Sequence, residues 1–161
     1  MRVLVTGHMG YIGSVLAPML LDAGHEVVGL DTAFFDGCTH GPATLGYEQI
    51  RKDVRDVEAA DLQGFDAIAH LAALSNDPLG DLNADLTYDI NHRASVNLAR
   101  LAKEAGAHRF VFSSSCSTYG AAGPDYILDE QATFNPVTAY GDSNVRAQPT
   151  IPKPPHYTFS P

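Results

Sequence analysis

The sequence predicts an α/β fold, a parallel sheet wound with helices on both faces, and three observations carry that prediction. Short apolar runs alternate with longer stretches whose apolar residues recur every three or four positions. The first run passes straight into glycines at 7, 10 and 13. The second run closes on a carboxylate, Asp31. Strands alternating with helices give right-handed crossovers, and those build parallel sheets.

Taken in order, Val3–Thr6 reads as the first strand and Ile12–Ala23 as a helix with Leu16, Met19 and Leu20 on one face. Pro18 falls inside that helix, an unfavourable site that invites a kink, and Gly24 is a fitting stop. Val27–Leu30 is the second strand, followed by a loop over 32–47. Tyr47–Arg51 predicts a short third strand and Val57–Leu62 a short helix. Ala67–Leu71 is the fourth strand. The longest helix spans Asp85–Ala105, with Leu86, Ile90, Ala94, Leu98, Leu101 and Ala105 on one face and Gly106 at its end. Arg109–Ser113 is the fifth strand. From Gln148 the chain carries prolines at 149, 152, 154, 155 and 161, so residues 148–161 read as an extended, disordered tail.

At 161 residues, 45% apolar and 18% charged, the chain has material for one compact domain with its own core. A net charge of −9, with no local cluster of Lys and Arg, argues against a nucleic-acid partner. No apolar run approaches the roughly 20 residues of a membrane span, and the N-terminal segment lacks a secretory leader signature. Cys38 and Cys116 suggest neither a disulfide framework nor a metal site, so a reducing cytoplasm is the expected setting.

The chemistry concentrates at the ends of the strands. Gly7 permits the sharp turn from strand to helix. Gly10 lets backbone approach a phosphate, and Gly13 lets the helix pack close to the strand. The helix N-terminus then faces an anion with free N–H groups. Asp31, 18 residues after Gly13, is placed to accept hydrogen bonds from the adenosine ribose and to repel a 2′-phosphate, which favours NAD over NADP. The serine-rich run Phe112–Gly120 follows the fifth strand, and Tyr140 comes 25 residues after Ser115. A Ser and a Tyr meeting over a nicotinamide ring can move a proton while a hydride is transferred. An unperturbed tyrosine titrates near 10, so a base of this kind needs a cation beside it. A serine-rich loop and a packed tyrosine are the ordinary alternative.

These pieces resemble the extended short-chain dehydrogenase/reductases, and within them the NAD-dependent nucleotide-sugar epimerase/dehydratase family. The resemblance rests on Thr6–Gly13, Asp31, Asp53–Asp56, His70–Ala73, Asn91, Ser113–Ser115 with Tyr119-Gly120, and Tyr140–Ser143, in family order across residues 1 to about 147. It implies a Rossmann-like doubly wound sheet, incomplete at its C-terminal edge, over residues 1–147. It implies that Gly7, Gly10 and Gly13 with the N–H groups of Tyr11 and Ile12 hold the NAD pyrophosphate. By the same resemblance Asp31 holds the adenine ribose, and Asp53 and Val54 flank the adenine. Leu71, Ala72, Ala73 and Ser113 line the cofactor, and Asn91 braces the central helix. Ser115 would orient the substrate hydroxyl and Tyr140 would act as the base, with NAD transiently oxidising a sugar hydroxyl.

The chain departs from this pattern in three places. The family's Tyr-x-x-x-Lys lysine falls on Asn144, which carries no charge and leaves Tyr140 without its cation. The resemblance stops just after Arg146, where family members continue into further strands and a sugar-nucleotide domain, so the chain reads as truncated, with its substrate domain absent. Cys116 and Ser117 stand where the 4,6-dehydratases carry an acidic pair, which favours an epimerase-like or dehydrogenase-like parent. The segment Ser75–Leu82 would lie near a substrate, with loop and helix-cap roles as the plainer reading of its acids. Three functions stay open: a weak or inactive nucleotide-sugar oxidoreductase, an NAD-binding module without turnover, and an unstable fragment. Exposed strand edges leave a homodimer open.

Overall fold

In a computed structural model, residues 1–38, 46–121, 128–129 and 131–151 are described, together with the backbone of 158–160. Strand β1 spans Arg2–Thr6, helix α1 Gly13–Asp22, β2 Glu26–Asp31 and β3 Glu48–Arg51. β4 is Ala67–His70, α2 is Asp77–Leu82 and α3 is Ala84–Thr87. A π-helical turn over Tyr88–Ala94 leads into α4, Ser95–Glu104. β5 is Arg109–Ser113, α5 is Ala139–Thr150 and β6 is Thr158–Ser160. The strands form one parallel sheet in the order β3-β2-β1-β4-β5-β6.

The alternation of each strand sorts its side chains between two cores. Val3, Val5, Val27, Ala67 and Ala69 face α1 through Ala17, Leu16 and Leu20. Leu4, Val28, Leu30, Ile68, Phe110 and Phe112 face the other way, onto Leu98, Ala99 and Ala102 of α4 and Ala147 of α5. Strand order reverses beside β1, and the open crevice at the C-terminal ends of β1 and β4 is where ligands bind in such sheets.

Several expectations are corrected. The short helix foreseen at Val57–Leu62 is a 3₁₀ turn, Ala59–Leu62, preceded by a second, Val54–Asp56, that Asp53 caps. The single helix foreseen over Asp85–Ala105 is interrupted by the π turn. Asn91 and Ser95 both point inward at this turn, whose local widening three-and-four spacing does not reveal. The tail foreseen as extended and disordered from Gln148 is not uniformly so. Helix α5 runs through Pro149 to Thr150, and Thr158–Ser160 pairs with Val111–Ser113 as a sixth strand. Ile151 is buried against the sheet, which holds the helix end in place. Residues 152–157 and 161 of that tail lie outside the described residues. Pro18 stays within α1 on its exposed side, where the carbonyl it leaves unpaired reaches water.

Candidate functional site

The crossing from β1 to α1 is made by backbone. The Gly7 N–H donates to the Leu30 carbonyl at 2.8 Å, which ties the turn to the end of β2, and Gly7 takes φ +73°. A Cβ on Gly13 would stand 2.2 Å from the Gly7 carbonyl oxygen, so only glycine lets the helix begin this close to the strand. Ile12 caps α1 without a side-chain hydrogen bond. Among the described residues, the N–H groups of Tyr11, Ile12 and Gly13 have no hydrogen-bond partner. Three unpaired donors at the positive end of a ten-residue helix are an anion seat.

Asp31 lies at the next strand end. One carboxylate oxygen accepts from the Met9 N–H at 3.0 Å and the other from the Ala33 N–H at 2.9 Å. Both bonds fix the carboxylate beside the glycine turn, and each oxygen retains a lone pair for an incoming hydroxyl. Ala33 adopts φ 61° to present that N–H, an uncommon conformation for a residue with a Cβ. A cleft of about 150 Å³ opens here, bounded by Met9, Asp31, Ala33, Gln49 and Arg51. Arg51 pairs in register with Asp31 across β2 and β3. Asp53 and Val54 do not line this cleft. Asp53 is held by Arg55, whose guanidinium keeps its carboxyl below the usual range, and Val54 is buried in the core.

His8, between the glycines, turns inward. Its ring occupies the space a Cβ on Gly29 would fill, at 2.4 Å, and its Nδ1 meets the Tyr47 hydroxyl at 3.1 Å. Burial pushes the imidazole below its ordinary value, with Asp31 opposing in part. The same cause acts in full on His70, whose pKa falls to about 4. His70 Nδ1 meets the Thr6 hydroxyl at 2.6 Å and Nε2 the Ser95 hydroxyl at 2.8 Å. The His70 ring thereby joins β1, β4 and the helix behind them.

Leu71 and Ala72 follow β4 against the glycine turn. The Leu71 N–H donates to the Thr6 carbonyl at 3.1 Å, and the Ala72 nitrogen lies 2.7 Å from where a Cβ on Gly7 would be. Ala73 is exposed just beyond. Asn91 grips the adjoining Leu74 through both backbone groups, accepting from its N–H at 2.8 Å and donating to its carbonyl at 3.0 Å. This bears on the bracing role expected of Asn91.

The second half of the site is made of side chains. Ser113 ends β5, half-buried. Ser115 caps the 3₁₀ turn Cys116–Tyr119, its hydroxyl accepting from the Ser117 N–H at 3.1 Å. Thr138 caps α5 by accepting from the Gly141 N–H at 3.1 Å, which puts Tyr140 in the helix's first turn. Asn144 is 3% exposed, and its amide donates back to the Tyr140 carbonyl at 3.0 Å. One of its amide hydrogens is therefore turned onto its own helix. Arg146, on the following residues of α5, is committed to Asp142 at 2.7 Å and to the face of the Tyr88 ring. Among the described residues, no group of acids, histidines and cysteines is arranged to hold a metal, and no helix is long and apolar enough to cross a membrane.

Known proteins place this arrangement. The model of the NAD dependent epimerase/dehydratase family matches residues 3–148. A UDP-glucose 4-epimerase of Streptomyces lividans is 33% identical over 153 residues, covering 89% of this chain and 44% of that protein. A D-erythronate dehydrogenase of Haemophilus influenzae is 30% identical, covering 88% of this chain and 46% of that protein. Among solved structures, UDP-glucose 4-epimerase of Thermus thermophilus in complex with NAD superposes with a TM-score of 0.81 at 27% identity, over 92% of this chain and 49% of the other. The chain thus spans about half the length of these relatives. Both the glycine turn and the Ser115–Tyr140 half fall within the matched residues, and the chain belongs to the NAD dependent epimerase/dehydratase family.

Proposed function

We propose that the chain binds NAD and is the cofactor-binding part of a nucleotide-sugar oxidoreductase of the epimerase/dehydratase type. The observation that carries this reading is the anion seat of Tyr11, Ile12 and Gly13 set beside a fixed Asp31 carboxylate. The three N–H groups would hold the pyrophosphate and Asp31 the adenosine ribose. A 2′-phosphate would meet the Asp31 charge, so NAD is favoured over NADP. When bound, NAD supplies the acceptor for a hydride from a sugar carbon. Ser115 then orients the sugar hydroxyl, and Tyr140 takes its proton. Solved relatives named for UDP-glucose support a nucleotide sugar as the substrate class.

Asn144 limits this chemistry. A tyrosine serves as a base at neutral pH only where a cation stabilises its phenolate, and an amide turned onto the Tyr140 carbonyl is no cation. Turnover is therefore weak. The second reading, an NAD-binding module without turnover, is favoured by this same contact. Calorimetric titration of the chain with NAD, with NADP as control, tests binding. Saturable binding of NAD, tighter than NADP, is expected, and no binding to a folded chain would sink the proposal. Conversion of UDP-glucose to an epimerised, dehydrated or oxidised product separates the two readings.

A further inference from the structure

The acidic segment Ser75–Leu82 enters neither the cofactor site nor the core. Its helix α2 nonetheless touches both side-chain elements of the candidate reaction centre. Asp77 is the point of contact. One carboxylate oxygen of Asp77 accepts from the Thr138 hydroxyl at 2.5 Å. That hydroxyl also caps the helix carrying Tyr140, through Gly141. The other Asp77 oxygen accepts from the Ser117 hydroxyl at 3.5 Å, and the Ser117 N–H is the group held by the Ser115 hydroxyl. Around this bridge the packing is close. A Cβ on Gly80 would stand 3.1 Å from the Tyr140 Cβ, and the Gly80 carbonyl accepts from Thr87 at 2.8 Å. Asp81 accepts from the Ala139 N–H at 3.3 Å.

We propose that Asp77 is a positioning residue: a single carboxylate that sets the helix carrying Tyr140 against the turn carrying Ser115. The catalytic meaning of this bridge rests on the reading of Ser115 and Tyr140 as the reacting pair; the bridge itself does not. A carboxylate suits the task because it accepts from two hydroxyls at once, on separate oxygens, and donates to neither. Each hydroxyl keeps its second role, one capping a helix and one bracing a turn. Reaction rates respond steeply to such separations, since a displacement on the order of 1 Å can cost about 10²-fold.

The test measures backbone hydrogen exchange on the full chain. In Asp77→Ala, peptides covering 115–119 and 138–142 are expected to exchange about tenfold faster together, while peptides from β1 to β2 stay unchanged. Asp77→Asn, which retains one accepting oxygen and matches the shape, is expected to fall between. Acceleration in one peptide alone, or in neither, overturns the bridge. Where the parent chain converts UDP-glucose, Asp77→Ala is expected to lose about tenfold in kcat with KM within about twofold, the mark of lost alignment. An unchanged kcat overturns the positioning role. Absence of turnover both in the parent chain and in Asn144→Lys sinks the catalytic reading of Ser115 and Tyr140, and the exchange data still decide whether Asp77 bridges them.

Discussion

The two halves of the site are built from different materials. The half around Gly7–Gly13 and Asp31 offers backbone N–H groups and one carboxylate that the backbone itself holds in place. The half around Ser115, Tyr140 and Asn144 depends on particular side chains presented by capped helices. Backbone donors persist through any substitution that leaves the turn intact. A side-chain cation is lost with one residue, as the resemblance implies at Asn144, and on the proposed reading binding and chemistry are separable in this chain.

The sharpest way to break the comparison is to attack the backbone half. Gly13→Ala places a methyl 2.2 Å from the Gly7 carbonyl, with rigid backbone on both sides. We expect NAD binding to vanish and stability to drop by more than about 3 kcal/mol, read by calorimetry and by denaturant titration. Repairing the side-chain half comes next. Asn144→Lys is expected to raise the rate of UDP-glucose conversion about 10²–10⁴-fold, and no gain in a folded variant would remove the missing cation as the cause.

A third expectation concerns pH. His70 is neutral in the fold, with its pKa lowered to about 4 by burial, against 6.5 in the unfolded chain. Above that value neither state takes up the proton. Below it the unfolded chain does so first, and stability falls by about 3 kcal/mol between pH 6.5 and 4. Thermal melts across this window check it, and His70→Asn should flatten the acid limb. A smaller effect is expected at Asp31. Asp31→Ser removes the charge that opposes a 2′-phosphate, and the ratio of NADP to NAD affinity should rise about tenfold, or about 1.4 kcal/mol. Least of all, Glu104→Gln breaks an exposed pair with Arg100 and should move stability by under about 0.5 kcal/mol.

What was legible in the sequence follows the same division. The glycine trio and Asp31 announce themselves because backbone geometry restricts which residues fit, and the strands β1, β2, β4 and β5 stand out as apolar runs. The bridge through Asp77 was not legible, since it joins residues 40 and 61 positions apart through hydroxyls that any loop could carry. The π turn was hidden because Ile90, Ala94 and Leu98 keep helical spacing across it. Pro149 argued against helix, and the buried Ile151 outweighed it. His70 was quoted in a motif, yet only the fold shows Thr6 and Ser95 closing on its two nitrogens.

That closure leaves the ring no place in water. With the Ser95 hydroxyl donating to the Asn91 carbonyl at 2.7 Å, His70 Nε2 donates to Ser95 and Nδ1 accepts from Thr6, whose oxygen also accepts from the Ala72 N–H at 3.3 Å. With the hydroxyls turned the other way, the ring takes the opposite tautomer and keeps both bonds. In either arrangement each ring nitrogen meets a buried hydroxyl, and a slowly exchanging imidazole N–H is the spectroscopic signature of that enclosure.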